Sequence, residues 1–270
     1  MNQTSRTAAR TKPPHQHAQT ASDWFPYDRP TENPWCTVVC LPFAGGGASF
    51  YLPWRQREPD GLDICAVQPP GRETRGNSAP LRSMADLVSA TADALEGRLH
   101  GPYALFGHSL GALTAFELAR ALPSLGLPPP IRLFAACAKP PDTWPLPGSL
   151  HLLTDQGIID HLRPHGRVPD AIFHHPGFRR RALRTVRADL EICCTYRATG
   201  GPLSIPITVL SGIDDEIARP QDMPGWTAWS SAPVEILHRP GGHFFLADQM
   251  AVTKDLVLDR LSTNTQDGHP

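Results

Sequence analysis

Short apolar runs, rich in β-branched and aromatic residues, recur along the chain and predict the buried strands of a sheet. The predicted strands are Thr37–Leu41, Asp63–Val67, Tyr103–Phe106, Ile131–Cys137, Pro206–Ser211 and Val234–His238. Segments with the helical period lie between several of them, for example from Met84 onwards, where Ser83 and Asp86 form a capping box. This alternation predicts an α/β fold with a mostly parallel central sheet flanked by helices.

Residues 139–202 interrupt the alternation and predict a helical lid inserted between two strands of the sheet. Short helical patterns occur at Ile158–Leu162 and Ala171–Phe173, and a longer amphipathic helix with an arginine stripe follows. The stripe has Arg180, Arg184 and Arg187 on one helix face, beside Arg179 and Arg181. It is either a solvated face or a surface for an acidic carrier protein. The remaining boundaries are a disordered tail at 1–33, the core at 34–138 and 203–262, and a disordered tail at 263–270.

Composition narrows the class of protein without identifying it. The 270 residues carry a formal net charge of −1 and are 40% hydrophobic, which favours a soluble globular protein over a binder of nucleic acid or membranes. The N-terminal stretch has no apolar core of the signal-peptide kind, so a cytoplasmic location is expected. The six cysteines lie in apolar patterns without C-x-x-C spacing, which favours buried thiols. We expect a monomer.

The most informative stretch is Gly107-His-Ser-Leu-Gly111, which lies between a predicted strand and a predicted amphipathic helix. A G-x-S-x-G pattern in that context predicts a nucleophile elbow, a tight turn that holds a serine hydroxyl clear of a sheet. Glycine at both flanking positions lets strand and helix approach each other closely. Ser109 is therefore the candidate nucleophile, although a helix N-cap serine has the same local pattern. The adjacent His108 is interpreted as a packing residue.

The glycine-rich segment after the first strand predicts half of an oxyanion hole. Three glycines, 45 to 47, let backbone N–H groups point into a shared space, and neither dinucleotide- nor P-loop spacing is present. On this interpretation Ala44, or less favourably Gly45, donates one N–H, and Leu110, next to the nucleophile, donates the other. A flexible turn remains the alternative.

A serine nucleophile needs a histidine base that a carboxylate orients. His243 follows the last predicted strand after two glycines, and Asp215 follows the strand before it. The order serine, acid, histidine is that of the α/β-hydrolases. Asp215 is the favoured acid, while its neighbour Asp214 and the earlier Asp142 stay open as alternatives. No metal or bound cofactor is expected.

Several segments together resemble the type II thioesterases, the stand-alone enzymes of polyketide and nonribosomal peptide assembly lines. They are Leu41–Ala48, Gln68–Glu73, Phe106–Ala112, Arg187–Leu190 and Pro240–Leu246, and the resemblance runs from about residue 36 to 262. It implies hydrolysis of acyl or aminoacyl groups from the phosphopantetheine of acyl or peptidyl carrier proteins, which clears stalled or misprimed chains. The family's G-x-x-D acid motif maps onto Gly212 to Asp215, with departures at Ile213 and Glu216.

Two alternative hypotheses for the function use the same triad. A free-standing esterase or lipase would act on diffusible oxygen esters, and an acyltransferase would pass the acyl group to an acceptor other than water. Arg72 and Glu73, in the turn after the second strand, are expected to form a structural ion pair or hydrogen bonds near the site.

Overall fold

The apolar runs form one parallel sheet, seen in a computed structural model that describes residues 21–29, 31–55, 61–144, 149–165 and 171–266. Its strands in the described residues are β1 Cys36–Leu41, β2 Leu62–Ala66, β3 Tyr103–His108, β4 Arg132–Ala136, β5 Ile207–Gly212 and β6 Val234–Arg239. The strand order is β2-β1-β3-β4-β5-β6, and every neighbouring pair is parallel. Parallel pairing brings the carboxyl ends of the strands to one edge, where ligands bind in sheets of this kind.

Helices cover both faces of the sheet because successive strand residues point to opposite sides. They are α1 Ala21–Trp24, α2 Leu52–Arg55, α3 Met84–Leu95, α4 Leu110–Ala121, α5 Asp155–Leu162, α6 Ala171–His174, α7 Pro176–Thr195, α8 Phe245–Asp248 and α9 Met250–Gln266. In β1, Val39 packs with residues of α3 and α4, whereas Val38 packs with residues of α2 and α9. Ser83 caps α3 by accepting the Asp86 N–H at 3.1 Å, as the capping box predicts. The predicted layer architecture is confirmed.

The described part of the predicted N-terminal tail packs on the core. Trp24 and Phe25 are only 3% and 4% exposed, and the guanidinium of Arg75 lies 4.4 Å from the Trp24 ring. Burying two large aromatic side chains outweighs the Pro-rich, polar character of the surrounding sequence. The prediction of a tail up to residue 33 is therefore wrong for residues 21–29, while residues 1–20 lie outside the described residues. At the other end, α9 continues to Gln266, beyond the predicted start of the C-terminal tail.

Helices α5, α6 and α7 lie between β4 and β5, in the segment predicted to form a lid. Ile158 and Ile159 of α5 pack against Leu183 and Leu190 of α7, which gives this segment a small apolar cluster of its own. Farther along α7, Ile192 packs with residues of α3 and α4. Residues 145–148 and 166–170 of this segment lie outside the described residues. No helix among the described residues is long and apolar enough to cross a membrane.

Candidate active site

Ser109 lies in the tight turn between β3 and α4, with φ of 55° and ψ of −118°. A non-glycine residue reaches this backbone conformation only when its surroundings hold it there. Here the Ser109 N–H donates to the carbonyl of Ala136 at 2.8 Å. A Cβ on Gly107 would overlap the backbone of Gly111, and a Cβ on Gly111 would overlap the backbone of Leu41. Both glycines of the motif are therefore required by contact between strand and helix.

Two loops from neighbouring strands bring a histidine and a carboxylate to this serine. His243 Nε2 lies 3.0 Å from Ser109 Oγ, and His243 Nδ1 lies 2.9 Å from Asp215 Oδ2. The loops approach closely because position 212 has no side chain. A Cβ on Gly212 would come within 2.5 Å of the carbonyl oxygens of Gly241 and Gly242. The three residues that the sequence proposes as a triad thus form one hydrogen-bonded chain.

The surroundings of Asp215 favour the ionised form of its carboxylate beside the imidazole. Burial of Asp215, 2% exposed, opposes ionisation. The hydrogen bond and charge of His243 and the backbone N–H groups of Ala218 and Ile217 outweigh burial, so the pKa of Asp215 lies below its ordinary value. An ionised carboxylate only accepts hydrogen bonds, so the imidazole carries its proton on Nδ1. The Nε2 lone pair is therefore available to Ser109.

The alternative acids lie elsewhere. Asp214 is exposed, and the Asp142 carboxylate accepts a hydrogen bond from Trp229 Nε1 at 2.9 Å. Glu216, one of the departures from the family pattern, lines the cavity above the serine without replacing the acid. β5 ends at Gly212 and the chain turns there, with the Asp215 N–H donating to the Gly212 carbonyl at 3.2 Å, so that Asp215 is buried while Asp214 is exposed.

His108 has more than the packing role expected for it. Its Nε2 lies 2.8 Å from the backbone carbonyl of His243, which can only accept, so Nε2 carries the proton. Burial, followed by the neighbouring His243, lowers the pKa of His108 to about 3. A neutral His108 therefore anchors the main chain of the residue whose imidazole meets Ser109. Its position next to the serine in sequence was the available signal, but the partner carbonyl lies on another loop.

The predicted oxyanion donors, Ala44 and Leu110, lie beside the serine, whereas the N–H of the alternative donor, Gly45, is already hydrogen-bonded. Ala44 and Ser109 line the same cavity, and Leu110 begins α4. Within the described ranges, no hydrogen bond engages the N–H of Ala44 or of Leu110. The Gly45 N–H, by contrast, donates to the Asp189 carboxylate at 2.6 Å. Ala44 is therefore the better candidate of the two loop donors.

A family model described as "Thioesterase domain" matches residues 36–261. The chain belongs to the thioesterase family. Gramicidin S biosynthesis protein GrsT of Aneurinibacillus migulanus is 32% identical over 210 residues, which are 77% of this chain and 82% of that protein. Two solved structures are similar over most of their length. The RedJ thioesterase of the prodiginine pathway in Streptomyces coelicolor is 35% identical, with a TM-score of 0.76, over 91% of this chain and 100% of RedJ.

The second structure, the type II thioesterase BorB from the borrelidin biosynthetic cluster, is 33% identical with a TM-score of 0.77. The match covers 87% of this chain and 94% of BorB. The predicted resemblance to type II thioesterases and the α/β-hydrolase fold are thereby confirmed. The protein is a thioester hydrolase.

The cavity of this thioesterase has a volume of about 240 Å³ and reaches Ser109 and His243. Much of its apolar wall comes from the predicted lid segment, namely Trp144, Leu150, Leu162, Leu190 and Cys193. Polar groups enter it at Lys139, His161, His165 and Glu216. Such a wall suits an aliphatic chain whose carbonyl end reaches the serine.

The turn after β2 supports the loop after β1, which carries Ala44, in a way the sequence did not reveal. Gln68 Oε1 accepts the Ala48 N–H at 2.7 Å, and Gln68 Nε2 donates to the Arg72 carbonyl at 2.8 Å. Glu73, at a positive φ of 43°, accepts from Ser49 Oγ at 2.6 Å and from its N–H at 3.2 Å. Of the two expectations for Arg72 and Glu73, the hydrogen bonds near the site are found, with different partners for each residue, and no bond between the two occurs among the described residues.

One cluster of possible metal ligands among the described residues overlaps the triad. The ligand atoms of Cys137, Asp215 and His243 lie within 4.8 Å of one another, and all three residues are buried. Asp215 and His243 already bind each other through these atoms. Burial and the nearby Asp215 charge raise the pKa of the Cys137 thiol well above its ordinary value. The thiolate that would ligate a metal is therefore disfavoured. All six cysteines are buried and free.

Proposed function

We propose that this protein is a type II thioesterase that hydrolyses acyl or aminoacyl thioesters on the phosphopantetheine arm of carrier proteins. It would serve a polyketide or nonribosomal peptide assembly line, removing stalled or misprimed chains. The observation that carries the proposal is the hydrogen-bonded chain from Ser109 Oγ through His243 to Asp215, in a member of the thioesterase family. The named relatives come from the biosynthesis of gramicidin S, borrelidin and prodiginine, which supports a role in a biosynthetic pathway.

The proposed reaction proceeds through an acyl-serine. His243 Nε2 accepts the proton of Ser109 while Oγ attacks the thioester carbonyl. The N–H groups of Ala44 and Leu110 stabilise the resulting oxyanion, and the pantetheine thiol leaves with the proton that His243 returns. Water then attacks the acyl-serine carbonyl with His243 again as base, the bond to Oγ breaks, and Oγ takes back the proton from His243 as the free acid leaves. Asp215 keeps the imidazole in the required tautomer and stabilises its positive charge.

The partner in this proposal is an acidic carrier protein that docks on the basic face of α7. Only part of the arginine stripe is available for it. Arg184 donates to the carbonyls of Gly76 and Ser78, and Arg187 pairs with Asp155 at 2.7 Å. Arg180 and Arg181 are exposed and remain candidates for docking. Exposed cations of this kind speed association and set orientation more than they raise affinity.

The test is a panel of acylated carrier proteins and the matching p-nitrophenyl esters, assayed with the wild type and Ser109→Ala. We expect release of acid from the carriers, a preference for them over the free esters, and loss of both activities in Ser109→Ala with unchanged thermal unfolding. A clear preference for free esters would favour an esterase. Product formed only with an added acceptor would favour an acyltransferase. Activity that survives Ser109→Ala would exclude Ser109 as nucleophile.

A further inference from the structure

A buried ion pair joins helix α7 to the loop that carries Ala44. The Asp189 carboxylate is buried, and the whole residue is 1% exposed. Its Oδ2 accepts from Arg72 Nη1 at 2.7 Å, and its Oδ1 accepts from Arg72 Nη2 at 2.9 Å. Two parallel bonds fix direction as well as distance between the two groups. A buried pair of this kind adds little net stability, because removing both charges from water costs about as much as their attraction returns.

The pair holds the loop backbone on both sides of one short turn. Asp189 Oδ2 accepts the Gly45 N–H at 2.6 Å, and Arg72 Nη1 donates to the Gly46 carbonyl at 3.1 Å. The Gly46 N–H in turn donates to the Phe43 carbonyl at 2.9 Å. That carbonyl belongs to the peptide group that also contains the N–H of Ala44.

Peptide geometry converts this support into a direction for the oxyanion donor. In a trans peptide the C=O and N–H bonds point in opposite directions. Holding the Phe43 carbonyl toward Gly46 therefore aims the Ala44 N–H away from the turn. Glycine at position 45, with φ of 79°, has no intrinsic preference that would keep this arrangement by itself. The loop conformation is therefore held by Asp189 and Arg72 from outside the loop as well as by its own turn bond.

We propose that Asp189 and Arg72 are positioning residues that orient the Ala44 N–H of the oxyanion hole, an inference that rests on the proposed function. The lid helix then takes part in the chemistry as well as covering the cavity. Asp189 precedes Leu190, which lines the cavity, and Val186 one turn earlier occupies the space where a Cβ on Gly45 would lie. Val186 and Asp189 thus place α7 in direct contact with the loop that carries Ala44.

The first test compares Asp189→Asn with the wild type on a pantetheine thioester. Asparagine removes the charge that holds Arg72 and leaves a weaker acceptor for Gly45. We expect kcat/KM to fall about 10- to 100-fold, mainly through kcat, as for a displaced oxyanion donor. The affinity for a trifluoromethyl ketone analogue, whose adduct with Ser109 carries an oxyanion, should fall by the same factor. The affinity for a thioether analogue, which forms no oxyanion, should stay within about twofold.

Asp28→Asn is the matched control. Asp28 is also a partly buried carboxylate paired with an arginine, Arg98, at a distance of 2.5 Å, and this pair lies away from the site. This variant should lower thermal stability without changing kcat or the ketone affinity. If Asp189→Asn alters only stability, as this control does, the proposal is wrong.

The double variant Arg72→Met/Asp189→Leu keeps the proposal testable if single variants fold poorly. Removing both charges should restore the unfolding temperature toward that of the wild type. Because Gly45 and Gly46 still lack their partners, kcat should remain about 10-fold or more below the wild type. Recovery of kcat together with stability would overturn the proposal. Thioester hydrolysis by the wild type and its loss in Ser109→Ala test the proposed function separately, whatever the Asp189 variants do.

Discussion

The Asp215→Asn substitution keeps the shape of the acid and changes only what it can accept and donate. Asp215 Oδ1 accepts the N–H groups of Ile217 and Ala218 at 2.8 Å and 2.9 Å. The asparagine oxygen should occupy that place, which turns its NH₂ group toward His243 Nδ1. The imidazole must then accept at Nδ1 and carry its proton on Nε2. In that tautomer it cannot take the proton of Ser109.

The size of the effect follows from these contacts. Rotating the amide to offer its oxygen to His243 would break two backbone hydrogen bonds, which costs about 2 kcal/mol. Even then a neutral oxygen replaces the carboxylate beside the developing imidazolium, which loses about another 2 kcal/mol of charge-assisted hydrogen bonding. The sum of about 4 kcal/mol corresponds to roughly a 10³-fold lower kcat.

The assay is thiol release from a pantetheine thioester, followed with a chromogenic thiol reagent, together with thermal unfolding. The adjacent and exposed Asp214 supplies the control, since Asp214→Asn should leave kcat within about twofold. Asp215→Asn that retains more than about a tenth of the wild-type kcat while folding normally would refute this reasoning. So would equal losses in the two variants.

Three other predictions concern pH, loop geometry and docking. Because the pKa of buried His108 is lowered from 6.5 to about 3, the unfolded state binds the extra proton between these values. The contribution of His108 to the free energy of unfolding should therefore fall as the pH drops through that window, by up to about 1.4 kcal/mol per pH unit. At pH values above the window, His108 should add nothing to the pH dependence of stability. Urea titrations of wild type and His108→Gln with equal pH slopes would contradict this. Gly212→Ala places a Cβ 2.5 Å from backbone carbonyl oxygens and should lower kcat about 10-fold or more. The control Gly201→Ala places its Cβ in open space and should leave kcat unchanged. Equal kcat values for the two variants would contradict this prediction. The double variant Arg180→Gln/Arg181→Gln should raise KM for an acyl carrier protein and weaken the salt dependence of that KM. KM for a pantetheine thioester should stay the same. An unchanged KM for the carrier protein would exclude this docking face.

Local patterns in the sequence were sufficient wherever a short stretch of chain determines its own geometry. The elbow around Ser109 is predictable because sterics between adjacent elements require glycine at 107 and 111. The parallel sheet is predictable because buried strands and amphipathic helices alternate along the chain. The placement of Asp215 and His243 after successive strands follows from that alternation, since the carboxyl ends of parallel strands share one edge.

Contacts between distant segments decided the rest. Nothing near Asp189 in sequence indicates that its carboxylate binds Arg72, 117 residues earlier, and the N–H of Gly45. His108 likewise meets a carbonyl 135 residues away. Burial of Trp24 and Phe25 reversed the expectation of a tail because polar neighbours in sequence do not show what apolar surface lies nearby in space. The alternation of strands and loops along the chain is enough to predict which residue types reach the carboxyl edge of the sheet. Which atoms bind one another there follows from the folded molecule alone, because each such bond joins side chains that the fold brings together from separate elements.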